Sequence, residues 1–393
     1  MNILVINSGS SSLKFALLEP ETQSTLCQGL AENLGTDSAR IEISSDGAKQ
    51  KQALPGASHQ SALEHAFAQL SRFSIAAIGH RVVHGGEAFR DSVVLDEVGM
   101  AAIRDASELA PLHNPANLLG IEAARGRFAE LPNVAVFDTA FHQTLEPRAF
   151  LYALPYELYE RHRIRRYGFH GTSHRFVAGE AARYLRRPLG ELELVTAHLG
   201  NGCSACAIRA GRSVDTTMGF TPLEGLVMGT RSGDVDPNLH EFLVSNLGYS
   251  LAQVGELLNR KSGLLGLSGT SNDMRTLLAQ SEKGDTRAAV AIDVFCYRLA
   301  KALLGLCAGL ERVDALIFTG GIGEHAAPIR EKTLASLRIL NPLLDPALNR
   351  EHGRTAGGRI TKEGSALLGL VIPTNEELFI ARETARLLTA PTS

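Results

Sequence analysis

An apolar strand that breaks at a glycine- and serine-rich turn and then resumes as a second strand occurs at the start of this chain and again near its middle. Residues 3–6 (ILVI) run into NSGSSS at 7–12, and LKFALLE follows with alternating character. Residues 192–197 run into HLGNG at 198–202, and strand character resumes over 204–208 before a turn at Ala210 and Gly211. Alternating or continuous apolar runs bounded by Gly, Asn and Ser predict hairpins. A hairpin that recurs in 393 residues predicts a duplicated domain, and at ~100 to 200 residues per domain the length suggests two or three, of which two fits the duplication.

A third glycine-rich turn has a different context. Apolar residues 315–318 lead through TGGIGEHAA to Pro328, an early helical residue, which reads as strand, loop, helix. Upstream, Ile292, Phe295, Leu299, Leu303, Leu306 and Leu310 recur at three- and four-residue spacing, the buried face of a helix. Residues 33–60 are polar with a short alternation at 39–43, and read as a peripheral hairpin or loop.

Several function classes drop out. With 39 basic against 42 acidic side chains the chain has no character suited to coating a polyanion. The run Arg161, Arg163, Arg165, Arg166 is too short for a nucleic-acid surface and reads as a solvated helix face or interdomain contact. No apolar run reaches the ~18 residues of a membrane span, and MNILVINSGS lacks a basic stretch before its apolar part. The expected location is cytoplasmic, with no membrane or nucleic-acid partner. Five cysteines do not form a disulfide framework, and the lone C-x-x-C of Cys203 and Cys206 lies in a predicted strand, where positions three apart face opposite sides.

Glycine turns let backbone N–H groups converge on an anion, and serine hydroxyls add donors. NSGSSSLK, HLGNG and TGGIGE are three such turns after apolar strands, and none matches a P-loop or a dinucleotide-binding fingerprint. In GHRVVHGGE, Arg81 is placed either to grip a carboxylate or phosphate with two prongs or to form an internal ion pair. In VAVFDTAFH, Asp138 ends an apolar strand, where open α/β sheets display functional groups, although a helix N-cap is the competing reading. His170 in YGFHGTSH and Arg231 in MGTRSGDVDP are cation candidates among small residues, with a buried core imidazole as the alternative for His170. These are the residue types that phosphoryl transfer requires: cations, a metal site and alignment.

Taken together, NSGSSSLKF, GHRVVHGGE, LAPLHNPAN, VFDTAFH, YGFHGTSH, HLGNG, GFTPLEGLVMGTRSGDVDP, TGGIGE and PTNEEL resemble the acetate kinase family over nearly the whole chain. The resemblance implies an α/β fold of two duplicated actin-like (ribonuclease H-like) domains around a nucleotide cleft. It places the first domain at 1–145 plus 378–393, with the C-terminal helix returning to it, and the second, nucleotide-binding domain at 146–377. The implied reaction is reversible, Mg2+-dependent transfer of the ATP γ-phosphate to acetate, giving acetyl phosphate and ADP, with Mn2+ able to stand in, in a homodimer.

Carried over motif by motif, the resemblance makes Asp138, His170 and Arg231 catalytic. Arg81 would bind the acetate carboxylate, and Val83, Leu112, Phe169 and Pro222 would enclose its methyl group. Ser10, Ser12 and Lys14 would join the nucleotide site with His198, Leu199, Gly200, Asn201 and Gly202. Asp273, Met274 and Arg275 would line it too, as would Gly321, Ile322, Gly323, Glu324 and His325. Asn7 and Glu376 would hold the metal, with Glu377 as a near alternative. Met274 and His325 stand where the family commonly has Phe and Asn, which leaves base preference open. Acetic acid, with a pKa of ~4 to 5, is already ionised at neutral pH. Asp138 is therefore expected to orient Arg231 or a metal-bound water rather than to act as a base.

Overall fold

Strands β1 (Ile3–Ser8) and β2 (Ser12–Glu19) pair antiparallel, with Asn7 opposite Lys14 and Ser8 opposite Leu13. The polar tip is therefore only residues 9–11, closed by Gly9 N–H donating to Ser12 O at 2.8 Å. In the computed structural model, which describes residues 1–45, 47–111 and 113–389, the mid-chain hairpin has the same build. Strands β9 (Glu193–Leu199) and β10 (Cys203–Arg209) leave a three-residue tip closed by Gly200 N–H on Gly202 O at 3.0 Å.

The chain divides into two units, one of Met1–Gln143 with the residues from Asn375 onward, the other of Thr144–Thr374. In the first, β3 (Ser24–Glu32), β4 (Arg40–Ser45), β5 (Ala48–Ala53), β6 (Ala77–Val82), β7 (Val93–Val94) and β8 (Asn133–Phe137) complete a sheet of order β5-β4-β3-β2-β1-β6-β8-β7. In the second, β11 (Arg212–Thr216), β12 (Ala315–Thr319) and β13 (Gly369–Val371) complete the order β11-β10-β9-β12-β13. The series β3-β2-β1-β6-β8 and β11-β10-β9-β12-β13 have the same sense throughout: an antiparallel three-strand meander, then two parallel strands. The first unit adds only the β4–β5 hairpin at one edge, built from the polar 40–53 stretch, and short β7 at the other.

Alternation decides which faces are buried. Leu4, Ile6, Leu13, Phe15 and Leu17 pack beneath helix His59–Leu70, while Ile3, Val5, Ala16 and Leu18 meet Ile380 and Ala381 of helix Glu376–Thr389. That packing brings Glu376 and Glu377 into the first unit; the division falls at 374/375 rather than at 377/378. Gly79 permits it, because a Cβ there would lie 2.5 Å from Thr384 Oγ1 and 2.7 Å from Ile380.

Local outcomes differ from the sequence in three places. TGGIGEH is not a loop: Gly320–His325 is a short helix, entered through Gly320 at φ +74°, whose N–H donates to the Glu324 carboxylate at 3.0 Å. Helix Thr286–Leu306 buries Ile292, Phe295, Leu299, Leu303 and Leu306, but ends before Leu310. Arg165 and Arg166 are not a solvated face. Arg165 is buried with its guanidinium 3.7 Å from the Phe150 ring centroid, and Arg166 donates to Glu224 and to the carbonyls of Thr216, Thr217 and Met218. Among the described residues no helix is long and apolar enough to cross a membrane.

Candidate active site

In the first unit, the parallel neighbours β6 and β8 set Arg81 opposite Val136, and Asp138 follows β8 directly. Asp138 is 1 % exposed and takes a two-pronged grip from Arg81: Nη2 to Oδ2 at 2.6 Å, and Nε to both oxygens at 3.2 Å. Within the first unit, Arg81 is thus a cation held directly on Asp138. Arg81 Nη1 also donates to Asn7 Oδ1 at 3.4 Å, and its Nε lies 3.7 Å from Glu376 Oε2. Burial disfavours the Arg81 charge, but Asp138 and Glu376 hold it further into the protonated range. Burial also pushes the Glu376 carboxyl upward, opposed by Arg81 and reinforced by the charges of Asp138 and Glu377.

Glu377 is occupied elsewhere, in an ion pair with Lys14. Asn7, Asp138 and Glu376 therefore form an oxygen-rich set around one guanidinium, a donor chemistry that suits Mg2+, which needs only one or two carboxylates besides substrate oxygens. Two asparagines of LAPLHNPAN brace this set. Asn117 accepts from Val83 N–H at 3.0 Å and donates to Ser8 O at 2.6 Å, and Asn114 accepts from His84 N–H at 3.1 Å. Val83 is buried; Leu112 lies outside the described residues.

In the second unit, His170 caps helix Gly171–Leu185 with a left-handed backbone, φ 55°. Such a conformation costs a non-glycine residue of order 1 to 3 kcal/mol and persists where the surroundings enforce it. Here the His170 ring stacks on His198, centroids 4.3 Å apart, and its Nδ1 meets Ser204 Oγ at 2.9 Å. The space above Gly202 is bordered by His170 Nε2 and Arg231 Nη1, each 3.5 Å from where a side chain would begin. Arg231 is half-buried, and burial lowers its pKa. Its hydrogen bonds go to Pro222 O at 3.3 Å and Met228 Sδ at 3.9 Å, and no carboxylate among the described residues pairs with it. A desolvated guanidinium without a counter-ion is built to receive an anion. Phe169 is buried beside His170 in sequence.

A cavity of about 500 Å3 in the same unit gathers the glycine-turn motifs: Gly200 and Asn201, Asp273 to Arg275, then Gly321, Ile322 and His325. Asn272 Nδ2 donates to Asn201 Oδ1 at 3.0 Å and ties two of these segments together. Asp273 caps helix Met274–Glu282, and its pairing with Arg275 holds its carboxyl down to about 2. Not every expected residue lines this space. Leu199 is in the core, Gly323 is buried, and Glu324 is turned back to accept from Gly320 and Thr374 N–H groups. His198 faces His170, as described, while Ser10, Ser12 and Lys14 belong to the other unit. Asn272 and Leu278 line the cavity unannounced by the motifs, although Leu278 sits one helical turn beyond Met274, while Ala326 and Pro328 extend the lining contributed by TGGIGEHAA and its following proline. A second cavity, about 470 Å3 on the β2–β5 face, is lined by cations already paired: Arg40 with Glu32, and Lys49 and Lys51 with Glu42. Cys203 and Cys206 are buried, which pushes both thiols upward, Cys203 to about 12.

Two units with one strand order, each carrying a three-residue hairpin tip between its first two strands, place the molecule in the class of duplicated actin-like α/β kinases. The chain belongs to the acetokinase family, whose sequence model matches residues 2–382. It is 54% identical over 390 residues to an acetate kinase of Ectopseudomonas mendocina, covering 98% of this chain and 99% of the relative. Among solved structures, a propionate kinase from Francisella tularensis superposes with TM-score 0.93 at 44% identity, covering 98% of this chain and 99% of that one. An acetate kinase from Porphyromonas gingivalis does so with TM-score 0.92 at 39% identity, covering 99% and 100%.

Proposed function

We propose that the chain transfers the γ-phosphoryl group of ATP to acetate, reversibly and by direct in-line displacement, giving acetyl phosphate and ADP. The observation that carries this reading is Arg231, half-buried, without a carboxylate partner among the described residues, and set beside His170 over Gly202. Attack of one anion on another needs several positive groups at once, and an arginine on the transferring group is worth about 10³ to 10⁵ in rate. The cavity lined by Asn201, Met274 and Ile322 supports nucleotide binding in the second unit, and Arg81 supports carboxylate binding in the first. Asp138 holds the Arg81 fork in one orientation. Asn7 and Glu376 would hold Mg2+, or Mn2+ in its place. When bound, that ion supplies charge neutralisation on the phosphate oxygens.

Acetate is the acceptor we infer, with propionate as the close competitor, since one methylene is worth only ~1 to 3 kcal/mol of discrimination. The test is direct: incubate the protein with ATP, Mg2+ and acetate, propionate or butyrate, and trap acyl phosphate with hydroxylamine. ATP hydrolysis that proceeds without any carboxylate and yields no hydroxamate overturns the reading.

A second copy of the chain is the partner we assign. Helix Asn238–Leu247 has no buried residue, and its exposed Leu239, Phe242 and Leu247 adjoin exposed Tyr249 and Leu251. An apolar surface of this kind supports burial against an identical surface in a homodimer. All five cysteines are free thiols, which, with ATP as donor, supports a cytoplasmic location.

A further inference from the structure

Behind His170 runs a line of hydrogen bonds that leads away from the reacting groups. Its Nδ1 meets Ser204 Oγ at 2.9 Å, Ser204 Oγ meets His174 Nε2 at 2.8 Å, and His174 Nδ1 meets Thr196 Oγ1 at 2.7 Å. Ser204, His174 and Thr196 are each fully buried. The line is held by the fold. Register sets Ser204 opposite His198 and Cys206 opposite Thr196, and one turn of helix Gly171–Leu185 carries His174 to the same face as His170.

A serine hydroxyl has one proton to give, so Ser204 donates to no more than one of the two rings, and two relays can run through it. In one direction Thr196 donates to His174 Nδ1, His174 Nε2–H donates to Ser204, and Ser204 donates to His170 Nδ1. His170 then carries its proton on Nε2, the atom beside Arg231 over Gly202. In the other direction Thr196 must give its proton to Cys206 O, and His170 presents a bare lone pair where an anion has to be held. The distances choose between them: Thr196 Oγ1 is 2.7 Å from His174 Nδ1 but 3.4 Å from Cys206 O, too long for a strong bond. Charge favours a neutral His170. His170 faces Arg231, stacks on His198 and is linked through Ser204 to His174, so a positive His170 would stand against a guanidinium and two imidazoles. For a neutral ring to donate from Nε2, its Nδ1 has to accept.

We propose that Thr196, His174 and Ser204 are positioning residues that hold His170 as the neutral Nε2–H tautomer, so that it donates a hydrogen bond to the transferring phosphoryl group without carrying a charge. The inference rests on the kinase reading above, but its first measurement does not.

The full-length protein labelled with 15N-histidine, in a two-bond 1H–15N correlation at neutral pH, reports each ring's tautomer, and His170→Gln assigns the signals. The wild-type His170 is expected to show a protonated Nε2 and an unprotonated Nδ1. Ser204→Ala should give averaged shifts, and Thr196→Val should do so more weakly, while Thr196→Ser keeps the wild-type pattern. In acyl phosphate formation Ser204→Ala should lower kcat about tenfold, the worth of one hydrogen bond, with KM for ATP little changed. An Nδ1–H tautomer or an imidazolium in the wild type overturns the proposal. So does a Ser204→Ala protein whose tautomer or kcat matches the wild type. The expected tautomer in a protein that forms no acyl phosphate from any carboxylate overturns the kinase reading instead.

Discussion

Arg81 and Asp138 stand 57 positions apart and meet as a two-pronged ion pair, Nη2 to Oδ2 at 2.6 Å, with the carboxylate almost wholly buried. Asn7 and Glu376 flank the same guanidinium. Arg81 is therefore oriented before any ligand arrives, and orientation is what a bidentate carboxylate contact needs. Removing Asp138 leaves the arginine without its anchor and with only the more distant Glu376 as a charge partner.

Arg81→Ala should raise KM for acetate strongly and leave KM for ATP nearly unchanged. Arg81→Lys should not restore acetate binding, since an ammonium cannot reproduce the fork. Steady-state kinetics with each substrate varied in turn separates the two. Because the Ala change removes the two-pronged Arg81 contact from a buried carboxylate, that variant should also lose stability, toward the lower end of the ~3 to 5 kcal/mol typical of broken buried pairs. Urea titration measures this.

Arg231→Ala should act on turnover instead. With no carboxylate partner to strand, the variant is expected to fold with near wild-type stability and to lose about 10³ in kcat. Hydroxamate formation and a thermal melt on the same preparation check both halves. A variant that unfolds while its remaining active fraction turns over normally would contradict the assignment.

Stability should fall in mild acid through two buried histidines. His80, whose Nε2–H donates to Asn133 Oδ1 at 2.8 Å, and His84 are each depressed to about 4 by burial. The unfolded chain titrates these rings near ~6.5, so between that pH and about 4 it binds more protons than the folded one. Their contribution is full above the unfolded value and declines as pH falls through the window, on the order of 3 kcal/mol per ring when complete. Unfolding free energies at neutral pH and near pH ~5 should differ in this sense, and His80→Gln should remove about half of the difference.

Phe242→Glu, on the helix with no buried residue, should convert a dimer to a monomer in light scattering without unfolding the chain. A wild-type protein that is already a monomer overturns the homodimer assignment, and a variant that stays a dimer overturns the assignment of this helix as its contact.

Much of the fold was legible because alternation and turn chemistry are local. ILVI followed by NSGSSS specifies a hairpin wherever it occurs, and the second copy at HLGNG carries the duplication. Pairing is not local. GHRVVHGGE and VFDTAFH each mark a charged residue, but only the β6–β8 register makes Arg81 the partner of Asp138. Glu376 and Glu377 are neighbours in one motif, and only the helix they open decides that Glu377 meets Lys14 while Glu376 faces Arg81. TGGIGEH reads as a loop because glycine disfavours helix, yet the Glu324 carboxylate on the Gly320 N–H outweighs that propensity. Ser204 lies beyond the HLGNG turn with nothing in its spacing to link it to His170.

The helix Glu376–Thr389, which lays Ile380 and Ala381 on the back of β1 and β2, has a consequence for how the protein is born. Strands β1 and β2, made before the second unit, wait with one apolar face uncovered for a segment that leaves the ribosome after that whole unit. That unit, drawn from one uninterrupted stretch, can finish first. Glu376 arrives with this covering helix, so a nascent chain can acquire the cavity of the second unit well before it acquires a complete oxygen set around Arg81.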